Sequence, residues 1–575
     1  DADTGLPVPT IAVATDGGVS IIRDVGNVVN ITGTSSVYNY WDKVKFTKDN
    51  KLIIQANYQN VSNQLTHVVD FPTEDTSANQ VNSAYTTLNG RYYHGDSCNP
   101  RISVSSFKPY IASMQKDMIA MGHRQDRNGG INLIAEEPST VSGTTSDAAL
   151  CFIEHDFNTG WMVGDIRVAA LSDTSTTNIS ASGNTNILTG SWTNNASFPY
   201  ETFTSSGLDI TSAINTSAYG AANKTWTAEA GKTYTAHFNL TLNSGTAPTL
   251  YVQTSSSMGN GVAYQTVNGA NSFTFRATMN TSSYFSFSIP SSGVTTNFSV
   301  SNLELYEGGD ANRVQDPLAL SDYPGLSVFG TINKTAVATG AELVGYKPSS
   351  SNSSHYLCIN ETDWSIGAGD FSISFWWYGT SSGDTTQIYL GIPSTGGASP
   401  SGGFNIWTYG GFQKMYISGD YFQYTDDGLN KWSLKTIVRR NGVVHLYENG
   451  VLKAGEGAST GSINDQKFNV FYGHYGQTNP AGSMALLRIS KTVPTSEQIA
   501  KMYNDEKHLF ATNAKATIYG TSNTITALAY DDDTQLLHVG TSAGRSVFQG
   551  LNRVDNTTDA VGTAISASNG IVAEE

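Results

Sequence analysis

The sequence predicts an all-β fold in which the N- and C-terminal segments form a β-propeller-like scaffold, interrupted by two inserted β-sandwich domains. Three observations predict this class. A strand and turn phrase near the start, Ala12–Ile22, recurs near the end as His538–Phe548. The apolar runs are short and bounded by turn residues. Only 14% of the residues are charged, while Gly, Ser, Thr and Asn are abundant, as is typical of β-rich extracellular proteins.

The repeated phrase aligns residue by residue at one constant offset. Both copies read as a strand, a tight glycine turn and a second strand. A repeat that opens and closes a chain fits a ring of β-blades, because a blade buries its faces only against neighbours. The aligned pairs are Val13 with Val539, Thr15 with Thr541, Gly18 with Gly544 and Ser20 with Ser546.

Composition and charge exclude several function classes. The chain has 575 residues, enough for about three to four domains. Its net charge of −16 opposes nonspecific binding to nucleic acid, and no apolar run of about 18 residues predicts insertion into a membrane. The three cysteines have no paired spacing, which argues against a disulfide framework or a zinc site. The start lacks a signal peptide, so we expect a processed or truncated N-terminus.

The two outer segments, residues 1–173 and 509–575, carry strand-length apolar runs without a sustained helical period. Their clearest units are the stretches Val44–Ile54 and Ile525–Val539, each of which reads as a hairpin with an acidic tip. Such a hairpin is typical of the middle of a propeller blade. At roughly 40 residues per blade, these segments predict about five blades.

The first inserted domain is predicted at residues 174–310. The stretches Ala230–Leu240 and Asn297–Tyr306 alternate polar and apolar residues strictly, which predicts an antiparallel β-sandwich with one solvated face. The strand opening at Ala230 and the closing strand at Tyr306 resemble a family of carbohydrate-binding modules with a jelly-roll fold. That resemblance implies sugar binding. Residues 311–340 are predicted as a linker.

The second inserted domain is predicted at residues 341–508. Asn441-Gly442 and Asn449-Gly450 predict type I′ hairpins, because both turn residues need positive φ. One helix is predicted at Thr495–His508. The order and spacing of Asp370–Trp377 and Lys431–Leu452 resemble a laminin G-like, concanavalin A-like lectin sandwich.

The whole arrangement resembles bacteriophage tail-appendage proteins, on the phrases Gly5–Val13, Asn158–Ile166 and His538–Gly550. This resemblance implies a tail fibre or spike on the virion, outside the host cell, that forms a homo-oligomer such as a trimer. The implied partners are a host cell-surface polysaccharide or glycoconjugate and other virion tail proteins. No heptad pattern in the sequence imposes a coiled coil.

Glycan contacts are predicted where aromatic rings and polar groups share a loop, since rings cover the apolar face of a sugar and polar groups bind its hydroxyls. In the alternative interpretation Tyr424 is an ordinary strand residue, Asp426 and Asp427 form a turn, and the aromatics of the first sandwich are core. The predicted contacts are Asp420, Tyr421, Tyr424, Asp426, Asp427, His474, Tyr475 and Asn479 in the lectin-like domain and Trp192 and Tyr251 in the first sandwich.

The lectin resemblance also implies calcium as the one candidate cofactor, with Asp420, Asp426 and Asp427 as the nearest ligands. No catalytic residue is predicted, because paired carboxylates, a Ser/His/Asp phrase and a phosphate-binding loop are not evident. The sequence therefore favours a non-enzymatic virion protein that displays glycan-binding domains for host recognition. The alternatives are a polysaccharide depolymerase with binding modules and a purely structural appendage protein whose lectin-like domain makes subunit contacts.

Overall fold

A computed structural model describes most of the chain, and every strand and sheet below refers to the described residues. The chain forms two compact units. The first comprises Asp1–Gly164, Val337–Leu343 and Lys501–Glu575, and the second comprises Asp165–Ala336 and Val344–Ala500. The described residues are 8–15, 17–33, 40–46, 51–57, 64–78, 90–93, 110–114, 118–123, 129–135, 149–164, 166–180, 186–215, 220–228, 233–253, 262–276, 281–289, 295–307, 312–314, 326–350, 355–359, 366–380, 387–391, 404–426, 428–453, 457–463, 468–472, 482–559, 567–568 and 571–572.

The N-terminal part of the first unit contains thirteen described strands in three sheets. The strands are β1 (Ile11–Thr15), β2 (Gly18–Ile22), β3 (Val28–Gly33), β4 (Tyr40–Phe46), β5 (Lys51–Asn57), β6 (Gln64–Asp70), β7 (Thr76–Ala78), β8 (Gly90–Tyr93), β9 (Tyr110–Ser113), β10 (Met118–His123), β11 (Gly130–Ala135), β12 (Ala149–Ile153) and β13 (Met162–Val163). The sheet orders are β1-β2-β3-β7, β4-β5-β6-β8 and β13-β12-β11-β10-β9. All neighbours are antiparallel except β3 and β7. Antiparallel meanders of four or five strands are the building blocks of propeller blades.

The first sandwich of the second unit packs two five-stranded antiparallel sheets around one apolar core. The sheet orders are β16-β19-β24-β21-β22 and β17-β18-β25-β20-β23. This architecture confirms the sandwich predicted from alternation. The strands from β14 to β26 are β14 (Ile166–Ala170), β15 (Ile179–Ser180), β16 (Thr193–Asn194), β17 (Thr202–Ser206), β18 (Asp209–Asn215), β19 (Gly220–Ala228), β20 (Thr233–Ser244), β21 (Thr249–Gln253), β22 (Val262–Gln265), β23 (Gly269–Arg276), β24 (Thr281–Ile289), β25 (Thr296–Glu307) and β26 (Asn312–Val314).

In the second sandwich of this unit, a seven-stranded sheet packs against a larger sheet. The smaller sheet has the order β27-β30-β40-β32-β33-β34-β35, and the larger has the path β15-β28-β29-β41-β31-β36-β37-β38 with β14, β26 and β39 attached. The strands are β27 (Ser327–Phe329), β28 (Thr331–Ala336), β29 (Val344–Pro348), β30 (Tyr356–Ile359), β31 (Phe371–Gly379), β32 (Gln387–Gly391), β33 (Phe404–Tyr409), β34 (Phe412–Ile417), β35 (Asp420–Thr425), β36 (Trp432–Arg440), β37 (Val443–Glu448), β38 (Val451–Leu452), β39 (Gly457–Ala458), β40 (Phe468–Val470) and β41 (Gly482–Ser490).

Strand pairing extends this second sandwich beyond the predicted domain. Strand β14 pairs with β41, and β15 pairs with β28, so residues on both sides of position 173 belong to its larger sheet. Strands β26, β27 and β28 lie within residues 311–340, which the sequence analysis assigns to a linker, and all three pair within the two sheets. The described strands of this range therefore belong to the sandwich and not to a linker. The other predicted domain boundaries stay predictions.

The predicted type I′ turns and the predicted helix are present in this region. Asn441 and Gly442 have φ values of 51° and 75°, and Asn449 and Gly450 have 52° and 79°. The helix α1 (Ser496–Glu506) is followed by a 3₁₀ turn, Lys507–Phe510. A capping box starts the helix: the Gln498 backbone N–H donates to Thr495 Oγ1 at 3.2 Å, and the Thr495 N–H donates to Gln498 Oε1 at 2.9 Å.

The C-terminal part of the first unit is a four-stranded meander with the order β42-β43-β44-β45, followed by one short hairpin. The strands are β42 (Ile525–Asp531), β43 (Leu536–Thr541), β44 (Gly544–Gln549), β45 (Asn552–Thr557), β46 (Ala567–Ser568) and β47 (Ile571–Val572). The Asn158 amide donates to the carbonyls of Ala516 at 2.8 Å and Leu551 at 3.1 Å, which ties the N-terminal segment to the C-terminal one. Both segments therefore build one all-β scaffold, as predicted.

The repeat found in the sequence has the same geometry in both copies. Thr15 pairs with Gly18, Thr541 pairs with Gly544, and each threonine hydroxyl donates to its glycine carbonyl at 3.2 Å. The two glycines have φ values of 147° and 134°, and a Cβ on either would collide with a carbonyl oxygen of the next strand. Glycine is thus required at both turns. Among the described residues, no helix has the length and apolar character needed to cross a membrane.

Candidate functional site

Two tight turns fix the edge of the seven-stranded sheet. Gly410-Gly411 joins β33 to β34, and Ser418-Gly419 joins β34 to β35, with positive φ at all four residues. Two-residue turns of this kind match the twist of the flanking strands and set their register. Tyr409 consequently lies opposite Phe412, and Ile417 lies opposite Asp420.

The two faces of this three-stranded edge differ in composition. The inner face buries apolar residues such as Ile406, Met415 and Phe422 in the sandwich core. The outer face carries aromatic rings, among which Tyr409, Phe412 and Tyr421 are 40%, 39% and 50% exposed. We call this outer group the aromatic platform: Trp407, Tyr409, Phe412, Lys414, Tyr416, Tyr421 and Gln423.

Cross-strand contacts order the aromatic platform. The rings of Trp407 and Tyr421 lie 5.9 Å apart between centroids, at an interplanar angle of 58°. The Lys414 Nζ atom lies 4.9 Å from the Tyr409 ring centroid and 5.7 Å from that of Tyr421. The Tyr421 hydroxyl donates to Gln423 Oε1 at 2.9 Å. The face thus combines ring surfaces with a cation and an amide, the groups that bind the apolar faces and hydroxyls of a sugar.

A buried ion cluster fixes the end of β35 to the opposite sheet. The Lys435 ammonium donates to Asp426 Oδ1 at 2.5 Å and to Glu448 Oε1 at 2.7 Å, and its side chain is only 1% exposed. The Gly428 backbone N–H also donates to Asp426 Oδ1, at 2.9 Å. Because β36 supplies Lys435 and β37 supplies Glu448, the cluster holds the strand that carries Tyr421 in position.

The structure separates the residues predicted in the Asp420–Asp427 loop. Tyr421 belongs to the aromatic platform, and Asp420 is half-buried at the start of the same strand. The prediction that Tyr424 contacts a glycan is wrong, because its side chain lies on the inner face of the strand and is 6% exposed. Residues two apart on a strand share a face, and Tyr424 is three residues from Tyr421, so the two side chains point to opposite faces. Asp426 forms the ion cluster. The four other predicted residues, Asp427, His474, Tyr475 and Asn479, lie outside the described residues.

The two described calcium candidates, Asp420 and Asp426, do not form a metal site. The Lys435 ammonium already neutralises Asp426, and a cation would have to displace it. No group of three or more His, Cys, Asp or Glu side chains that could hold a metal ion occurs in the described part of the chain. Asp420 and Asp426 are therefore not proposed as calcium ligands.

In the first sandwich, the prediction that Trp192 contacts a glycan is also wrong. Its side chain is 3% exposed, its Nε1–H donates to the Leu208 carbonyl at 2.7 Å, and its ring lies 5.3 Å from that of Phe287. Trp192 is thus a core residue, as the alternative interpretation held. Tyr251 is half-buried on β21, directly opposite Ala263 and Ser286. The structure does not bring Trp192 into any exposed aromatic group.

Several platform residues were not predicted as ligand contacts from the sequence, namely Trp407, Tyr409, Phe412 and Lys414. The signal was present in the two glycine turns. If Gly410-Gly411 is read as a two-residue hairpin turn, Trp407 must lie opposite Lys414; if Ser418-Gly419 is read likewise, Tyr416 must lie opposite Tyr421. Alternation along each strand then places the aromatic residues on one face.

Comparisons with known proteins bear on the second sandwich. A family model described as the concanavalin A-like lectin/glucanases superfamily matches residues 351–500. The chain therefore contains a concanavalin A-like lectin-fold domain, which confirms the prediction for this part of the sequence. No curated protein sequence matches the chain.

Several solved structures are similar to parts of the chain. Domain 4 of AbnA, a GH43 extracellular arabinanase from Geobacillus stearothermophilus, in complex with arabinotriose, is 16% identical with a TM-score of 0.25, covering 32% of this chain and 89% of that one. Trypanosoma rangeli sialidase is 9% identical with a TM-score of 0.26, covering 86% and 66%. The binding domain of botulinum neurotoxin DC, in complex with SialylT, is 16% identical with a TM-score of 0.27, covering 39% and 56%. TM-scores this low carry no argument about function.

Proposed function

We propose that this chain is a glycan-binding protein whose aromatic platform contacts sugar rings. The observation that carries the proposal is the row of exposed rings on one rigid sheet face, led by Tyr421 at 50% exposure. A soluble surface rarely gathers exposed aromatics without a binding partner. Pyranose rings present apolar C–H faces to such rings, and Gln423 and Lys414 lie close enough to bind their hydroxyls.

The pre-formed geometry supports this proposal. The tight turns fix the strand register, and the Lys435 cluster anchors the far end of β35. Little side-chain ordering is then needed when a ligand binds, which favours affinity for a small, weakly held sugar.

We further propose that the protein is a virion tail fibre or spike that recognises glycans on the host surface. The support is the resemblance of Gly5–Val13, Asn158–Ile166 and His538–Gly550 to phage tail-appendage proteins. Several copies on one virion would convert weak single sites into firm attachment, since linked sites raise the effective concentration of the ligand.

The test is a glycan array probed with the full chain and with the variant Phe412→Ala. We expect this variant to weaken binding about three- to tenfold, the loss of one stacked ring. The matched control is Phe46→Ala, because Phe46 has the same 39% exposure but lies on β4 in the first unit. Equal binding by both variants and the unmodified chain would contradict the proposal.

Two further readouts separate the alternatives. Release of reducing ends from a bound polysaccharide would assign the chain to the depolymerases. Absence of glycan binding, together with a change in oligomeric state for Phe412→Ala, would assign the platform to subunit contacts. Binding without release, weakened selectively by Phe412→Ala, is the result that we expect.

A further inference from the structure

We propose that the aromatic platform selects an acidic sugar residue, whose carboxylate or sulfate group pairs with Lys414. This inference rests on the proposed glycan-binding function and names its ligand class. Its basis is the position of one ammonium group at the centre of an otherwise uncharged aromatic face.

The neighbours of Lys414 on this face are uncharged in every direction. Trp407 and Gln423 lie directly opposite it on the two adjacent strands. Phe412 and Tyr416 precede and follow it on the outer face of β34. A ligand anion placed over the platform would therefore meet one positive charge and no carboxylate from these positions.

The charge of Lys414 is not neutralised by another described residue. Its ammonium contacts the rings of Tyr409 and Tyr421, and no ion pair to a described carboxylate is formed. Two other lysines of the same sandwich differ: Lys435 is held by two carboxylates, and Lys334 donates to Asp173 at 2.7 Å. An unneutralised lysine among aromatic rings therefore offers a contact for an anion.

The surrounding rings give this ammonium a defined place. A cation over an aromatic face is attracted by the negative potential of the ring, which restrains the flexible lysine stem. The Tyr409 and Tyr421 contacts thus hold the charge above the surface on which a sugar ring would stack. A partly exposed ion pair contributes modestly to affinity and more strongly to the choice between charged and neutral ligands.

The experiment measures binding of the full chain to oligogalacturonate and to the same oligosaccharide with its carboxylates reduced to alcohols. Dextran sulfate and dextran form a second pair, which distinguishes a sulfate ligand from a carboxylate ligand. The variants are Lys414→Met, which keeps the stem and removes the charge, and Lys414→Arg, which keeps the charge. The matched control is Lys347→Met, an exposed lysine on β29 in the other sheet of the sandwich.

We expect the unmodified chain to prefer the acidic member of at least one pair. Lys414→Met should weaken binding of the acidic member about two- to fivefold more than it weakens binding of the neutral member, while Lys414→Arg and Lys347→Met should bind like the unmodified chain. Equal effects of Lys414→Met on both members of a pair would overturn the inference.

Failure of this inference and failure of the proposed function are distinguishable. If glycans bind and Phe412→Ala weakens them, but the unmodified chain and Lys414→Met each bind the acidic and neutral members of every pair alike, the platform binds sugars and does not select acidic ones. If neither acidic nor neutral glycans bind in any arm, both the inference and the proposed function are overturned.

Discussion

Both sandwiches of the second unit bury aromatic residues in their cores, and the lectin-like one also carries the exposed aromatic platform. In the first, Trp192, Tyr200 and Trp226 are each less than 8% exposed and pack against other rings, and Tyr264 is 4% exposed. In the lectin-like one, a row of rings including Tyr421 stands on the outer face of the sheet. The difference shows that aromatic content alone does not indicate binding. What matters is whether alternation and register place the rings on the solvated face.

The two sandwiches also differ in how they bury ionisable groups. The lectin-like sandwich buries Lys435 with two carboxylate partners. In the first sandwich, burial lowers the pKa of His237 to about 4, so the imidazole is held neutral at pH 7. The stability of the lectin-like sandwich therefore depends on a complete ion cluster. The stability of the first sandwich depends on pH.

The largest expected effect is on the ion cluster. Lys435→Met would leave Asp426 without a counter-charge, and would leave Glu448, which is 1% exposed, with only the partly exposed Lys453 at 3.7 Å. We expect the free energy of local unfolding to fall by about 3–5 kcal/mol, which is usual when one partner of a buried ion pair is removed. Hydrogen exchange of peptides covering residues 420–448 in the full chain measures it. Lys347→Met is the control, and protection equal to that of the unmodified chain would refute a stabilising role for the cluster.

A core substitution in the first sandwich should have a comparable effect on stability but none on binding. Trp192→Ala removes a ring that packs on Phe285 and Phe287. We expect the free energy of unfolding of the first sandwich to fall by about 3–5 kcal/mol. Hydrogen exchange over residues 186–307 should report the loss, while glycan binding at the platform stays unchanged. If this variant loses glycan binding while the lectin-like sandwich keeps its protection from hydrogen exchange, Trp192 is a ligand contact after all.

The stability of the first sandwich should fall with acid because of His237. Its pKa is about 4 in the folded state and about 6.5 when unfolded, so the unfolded state binds the extra proton between these values. Stability is therefore complete above about pH 6.5 and decreases as the pH falls toward 4, by up to about 3 kcal/mol. Hydrogen exchange of residues 233–276 at pH 7 and pH 4.5, corrected for intrinsic rates, tests this. His237→Gln should flatten the difference, and an equally steep dependence in that variant would exclude His237 as its cause.

The smallest expected effect on stability is that of Tyr421→Ala. Its ring is 50% exposed, and substitutions at such positions usually change stability by less than about 0.5 kcal/mol. Glycan binding should nevertheless weaken about three- to tenfold, whereas Tyr421→Phe, which keeps the ring, should retain most of it. Thermal unfolding and glycan titration of the same samples give both values. A large drop in melting temperature without a binding defect would show that Tyr421 stabilises the fold and does not contact the glycan.

How far the sequence could predict this molecule is clear from the repeated hairpin. Strand, turn and glycine requirement were all predictable, because they depend on local backbone geometry. Burial was not: Val539 is fully buried, whereas its counterpart Val13 is 42% exposed. The covering of a hairpin face depends on residues distant in sequence, which the repeat does not encode.

The candidate site shows the same division. The row of aromatic residues follows from alternation and two glycine turns, so a stricter use of register would have selected Tyr421 over Tyr424. The cluster around Lys435 joins two sheets, and nothing local indicates that Asp426 meets a lysine rather than a metal ion. Predictions from single loops therefore included the strand that carries Tyr421 and assigned the Tyr424 side chain to the wrong face.

The most direct test of the account is hydroxyl-radical footprinting of the full chain with and without a saturating glycan from the array. Exposed rings are oxidised unless a ligand covers them. We predict that the glycan protects Tyr409, Phe412 and Tyr421 from oxidation and leaves the oxidation of Phe46 and Tyr251 unchanged. Unprotected platform residues in a chain saturated with glycan would contradict it.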